Sequence, residues 1–183
     1  MTKFTLANQI FAFLQSKGVD RVFLVPGGGN MFLVDAVATQ AGIEFVATHH
    51  EQSAVIAAEY YSRVSGKIGV ALVTTGPGST NAITGIAGAW LDSIPVLILA
   101  GQVKTTDLNA GNKLRQRGPQ EIDLVSMVAK ISKHSMTCLV AKNCLKDIAN
   151  GLKKAVQGRP GPVVFEIPLD IQSSIVDSAT AKL

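Results

Sequence analysis

Cysteine and histidine are scarce in this sequence. Cys138 and Cys144 are its two cysteines. They lack a CxxC spacing and no matched histidine pair accompanies them, so neither a zinc site nor a disulfide framework is indicated. His49 and His50 stand side by side, which is no metal-ligand spacing, and read as structural histidines. Aromatic residues make up 5% of the chain and charged residues 16%. The densest basic group, Lys113, Arg115 and Arg117, has no aromatic neighbours on which bases could stack, and the net charge is only +4. A nucleic-acid partner is therefore not expected. No apolar run is long enough to span a membrane, and no charged segment followed by an apolar one opens the chain. The expectation is a soluble protein in the reducing cytoplasm, without a membrane partner. Two nucleotide-binding fingerprints are also missing. Gly76-Pro77-Gly78-Ser79-Thr80-Asn81 has neither the sixth-place glycine of the dinucleotide turn nor the lysine of a P-loop, which excludes a nicotinamide-binding domain. Alone it reads as a tight turn before a helix.

What the sequence does have is glycine, seventeen in 183 residues, and apolar residues at 47%. That suits one α/β domain whose inner strands are almost wholly apolar. Thr5 is placed to cap a helix carrying Leu6, Ile10, Phe13 and Leu14 on one stripe, with Gly18 at its end. A strand over 19–25 runs into Pro26-Gly27-Gly28-Gly29, a loop whose three glycines let backbone approach a neighbour closely. A short helix over 31–41 follows. Residues 43–48 read as a strand covered on both faces, and Ala54, Ala57, Ala58 and Tyr61 recur at helical spacing after it. Another strand over 68–74 leads to the second glycine turn, then a helix over 82–91. Residues 95–100 (PVLILA) form the most apolar strand and are expected at the centre. A long polar loop over 101–118 precedes a helix over 121–130, an outer strand over 131–140, a helix to 157 capped by Asn143, and a last strand over 163–167. Six strands alternating with helices predict a three-layer α/β/α sandwich with a mostly parallel sheet. The domain is expected over 1–170, with 171–183 starting a linker to an absent middle domain.

Glu51 sits where the 43–48 strand gives way to a helix, at the edge where open parallel sheets bind ligands. Considered alone, it is a first-turn carboxylate favoured by the helix dipole. Its setting in the whole chain says more. The blocks VPGGG (25–29), THHEQSAVIAAEYYSR (48–63), TTGPGSTNAITGIAGAWLDSIPVLILAGQV (74–103), QEIDLV (120–125) and RPGPVVFEIPLDIQ (159–172) cover nearly the whole chain. In their order and spacing the sequence resembles the N-terminal, pyrimidine-binding domain of thiamine diphosphate enzymes of the acetolactate synthase type.

The resemblance implies a role for each block. Glu51 would share a proton with N1′ of the aminopyrimidine, favouring the imino tautomer that deprotonates thiazolium C2 for attack on a small 2-oxo acid. A carboxylate serves this way where desolvation brings its pKa towards the working pH. Pro26, Thr74, Pro77 and Asn81 would line the aminopyrimidine, and Gly27 and Gly28 would bring backbone near the reacting carbon. Gly29 and Gln120 would border the substrate. The family usually has phenylalanine before the QE pair, and this chain has Pro119, so other 2-oxo acids and sugar-derived substrates stay open. The GDG stretch and Asn-rich turn that hold diphosphate and Mg2+ occur nowhere here. The resemblance therefore implies a homodimer or a diphosphate-binding partner domain, no turnover by this chain alone, and FAD as a further cofactor in the full-length enzyme. The competing reading is a non-catalytic assembly or regulatory subunit with the same fold, which would have no chemical need for Glu51.

Overall fold

The computed structural model describes residues 4–109, 111 and 113–176. In chain order its elements are α1 (Leu6–Ser16), β1 (Arg21–Leu24), α2 (Met31–Thr39), β2 (Glu44–Ala47), α3 (Glu51–Ser65), β3 (Gly69–Val73), α4 (Pro77–Asn81) and α5 (Ile83–Leu91). Then come β4 (Val96–Gln102), α6 (Leu124–Val128), β5 (His134–Thr137), α7 (Ala141–Val156), β6 (Val163–Pro168) and α8 (Leu169–Gln172). Among the described residues the strands make one six-stranded sheet, ordered β2-β1-β3-β4-β6-β5, in which every pairing is parallel.

The sheet is the middle of three layers. On one face Phe11, Leu14, Leu33, Ile148 and Leu152 from α1, α2 and α7 meet Val70, Leu72, Leu97, Leu99 and Phe165. On the other, Val55, Ala58, Ile86, Ala89, Leu124 and Val128 from α3, α5 and α6 meet Ala71, Val73, Ile98 and Val164. Alternate residues of β3 and β4 serve opposite faces, which is why both strands are apolar throughout. The run 95–100 is central, as its composition demands.

The termini of α1 and α3 follow from local chemistry. Thr5 Oγ1 accepts from the Asn8 amide at 3.3 Å while the Thr5 amide donates back to Asn8 Oδ1 at 3.2 Å, a reciprocal cap. Gly66 closes α3 in the left-handed region at φ +71°.

Four expectations are corrected. β2 is not covered on both faces: all four of its residues are exposed, because it is an edge strand and α3 crosses back over β1 and β3. The helix over 121–130 shrinks to Leu124–Val128. Glu121 turns back to bind loop amides, and the Asp123 side chain caps the Ser126 amide at 3.0 Å. Asn143 does not cap α7. The helix begins at Ala141, leaving Asn143 inside its first turn. The outer strand is confined to His134–Thr137.

The chain after β6 stays on the body through Val176. The Leu6 amide donates to Ser174 O at 2.8 Å, Gln9 Nε2 to Val176 O at 2.6 Å, and Thr5 bridges Ile175.

Candidate active site

From β1 the chain moves to one side to form β2, and from β2 it crosses back to form β3 on the other side of β1. The loops leaving β1 and β3 therefore part, and open parallel sheets bind ligands in the crevice at such a switch point. Both glycine turns lie here. The first, 26–30, is pinned by Asn30, a fully buried side chain whose Oδ1 accepts from the Gly27 amide at 2.8 Å and whose Nδ2 donates to Val25 O at 3.0 Å.

The two turns touch through glycine α-carbons. A β-carbon at Gly27 would lie 2.5 Å from Thr74 Oγ1, and one at Gly29 would lie 1.7 Å from Thr75 Oγ1. Only glycine fits at either position. The Gly29 amide also donates to Thr74 Oγ1 at 3.2 Å. Thr75 Oγ1 itself is buried and has no hydrogen-bond partner.

Glu51 enters this cluster from the third side. His50 caps α3 by accepting the Gln52 amide on Nδ1 at 3.2 Å, which sets Glu51 as the first helical residue. Its side chain is 8% exposed, and Oε2 accepts from Asn81 Nδ2 at 2.9 Å. Oε1 faces Gly78, where a β-carbon would stand 3.0 Å from Oε1 and 2.5 Å from Thr74 Cγ2. The result is a buried carboxylate with one oxygen held by an amide and the other beside bare backbone.

Glu51, Asn81, Thr74, Gly27 and Gly29 are thus brought together. Gly28 is exposed, with nothing within 4 Å of where its β-carbon would be. Pro26 and Pro77 are exposed on their loops. Gln120 is exposed at φ +62°, and its carbonyl packs on Gly76, whose own φ is +63°. Its placement depends on Glu121, whose carboxylate accepts the amides of Asn109, Arg117 and Gly118. Burial pushes that carboxyl up, but the three amides outweigh it and hold the group below its usual value.

Three residues that the sequence reading missed also matter. Gly78 gives Glu51 room, and the GPG pattern was the available signal. Thr75 packs on Gly29, and Gln172 donates to the Gly29 carbonyl. Nothing in residue order announces either contact. Farther along the same edge Glu166 is 2% exposed and accepts from Gln102 Nε2 at 3.0 Å and Thr137 Oγ1 at 2.9 Å. Burial pushes its carboxyl up to about 7 against those hydrogen bonds.

A family model described as the thiamine pyrophosphate enzyme, N-terminal TPP binding domain, matches residues 4–127. The chain belongs to this family. Among curated proteins it is 44% identical over 169 residues to the acetolactate synthase isozyme 3 large subunit of Escherichia coli, covering 90% of this chain and 28% of that protein. It is 42% identical over 174 residues to the acetolactate synthase large subunit of Haemophilus influenzae, covering 93% of this chain and 29% of the relative. With the chloroplastic acetolactate synthase of Arabidopsis thaliana the identity is 36% over 169 residues, covering 92% of this chain and 24% of the relative. This thiamine pyrophosphate-binding domain therefore spans less than a third of the length of these relatives. No helix among its described residues is long and apolar enough to cross a membrane.

Proposed function

We propose that this domain binds the aminopyrimidine of thiamine diphosphate and supplies, in Glu51, the carboxylate that holds a proton at N1′. The observation carrying this is the Glu51 side chain, buried in the crevice between the two glycine turns with Oε2 fixed by Asn81 and Oε1 uncommitted. The donor set fits the group. An uncommitted carboxylate oxygen suits a ring nitrogen that takes up and releases a proton. Bound thiamine diphosphate supplies the carbon nucleophile and electron sink for cleaving a 2-oxo acid. Glu51 orients and protonates the ring, and Asn81 holds Glu51. Pro26, Gly27, Gly28, Thr74 and Pro77 border the ring, while Gly29 and Gln120 border the substrate.

On this reading the chain contributes the pyrimidine-binding half of the cofactor site of an acetolactate synthase-like lyase or carboligase of the cytoplasm. The diphosphate and Mg2+ are held by another domain or subunit, FAD belongs to a further domain, and two copies pair through the faces of α3 and α5. Tyr60, Val64, Trp90 and Leu91 support that pairing by leaving apolar surface exposed there. The test is 2-oxo acid decarboxylation by the chain combined with a diphosphate-binding partner, comparing wild type with Glu51→Gln. A drop of roughly a hundredfold or more is expected for loss of a general acid–base group; equal rates remove Glu51 from the chemistry.

A further inference from the structure

The four-residue helix α8 carries two anchors that reach opposite sides of the candidate site. Gln172 is fully buried, and its Nε2 donates to Gly29 O at 2.8 Å and to Ile167 O at 2.7 Å. A carboxamide nitrogen is the neutral side-chain group with two N–H donors on one atom, which is what two converging carbonyls require. Its Oε1 is buried without a partner, so the amide group is held there by its donors alone. The Gly29 peptide is fixed from two further directions. Thr74 Oγ1 accepts its amide, and the α-carbon of Gly101 presses so close that a β-carbon there would lie 2.2 Å from Gly29 O. Two residues earlier, Asp170 accepts the Thr105 amide at 2.9 Å and the Thr105 hydroxyl. Thr105 opens the loop that ends at Gln120.

We infer that Gln172 is a positioning residue that sets the first glycine turn, and that with Asp170 it ties both site loops to the chain leaving β6. What those loops bind rests on the function proposed above; the tie itself does not. Gln172→Met keeps the length of the side chain and deletes both donors, and Gln172→Glu sets an acceptor against two acceptors.

The experiment is amide hydrogen exchange by NMR on the chain itself. In both variants the amides of Gly27, Gly29 and Asn30 are expected to exchange roughly tenfold faster or more, while those of β4 keep their wild-type rates. Asp170→Ala, which deletes the acceptor of both Thr105 bonds, is the third variant, with acceleration expected at Thr105 and Asp107. Equal acceleration of loop and β4 amides would reduce Gln172 to a general stabiliser and overturn the inference, and so would unchanged loop rates. In the combined, active enzyme Gln172→Met is expected to raise KM several-fold more than it lowers kcat. An unchanged KM beside an inactive Glu51→Gln enzyme sinks the inference and leaves the proposed function standing.

Discussion

At the scale of single residues, the site depends on how little space surrounds Glu51. Gly78→Ala would drive a methyl group into Thr74 Cγ2 and against Oε1. It is expected to cost about 1–3 kcal/mol, read as a lowered melting temperature, and to displace the carboxylate. Glu166 offers a second test, through pH. Its folded carboxyl titrates at about 7 against an ordinary 4.5, so between those values the native state holds a proton that the unfolded chain has released. The contribution of Glu166 to stability is then highest below pH 4.5, falls as pH rises to about 7, and is level above, a loss of up to about 3 kcal/mol. Urea midpoints followed from pH 4.5 to 8 should show this fall, and Glu166→Gln should flatten it. Glu51 and Asn81 were legible in the sequence because each stands in a long motif. The role of Gln172 was not legible although it closes the 159–172 block, since nothing in that block pairs it with Gly29, which lies far away in the chain.

At the scale of elements, strongly apolar or strongly periodic segments were legible and half-exposed ones were not. β3, β4 and α1 follow from composition and capping. Phe45, Val46 and Ala47 of β2 look apolar but could not reveal that α3 packs over β1 and β3 and leaves them exposed. The segment 121–130 misled because helical spacing ignores where a carboxylate turns: Glu121 serves the preceding loop instead of a helix. Its three amide bonds make that loop one unit with Gln120. Glu121→Gln is expected to loosen it, so that trypsin cuts at the exposed Arg115 and Arg117 several-fold faster, as mass spectrometry of the fragments would show. The native loop should loosen in acid as well. Its folded carboxyl lies below the ordinary 4.5, so the stabilisation is present above that value and is lost as pH falls through the lower one.

At the scale of the whole molecule, the two faces of the sheet are closed by helices, yet α3 and α5 keep Val64 87% and Leu91 70% exposed. If a second copy covers them, light scattering of the chain at high concentration gives a dimer mass, and Val64→Lys combined with Leu91→Lys gives a monomer with an unchanged melting temperature.

The exposed edge strand β2 has a different consequence. Among the described residues the far side of β2 pairs with no strand, its Phe45 and Val46 are exposed, and its main charged guard is Glu44, paired with Arg21. Such a border is a template on which further chains can add strand by strand. Concentrated, salt-rich preparations, in which that charge is screened, should therefore drift towards fibrils that bind thioflavin, and a lysine in place of Val46 should keep them clear.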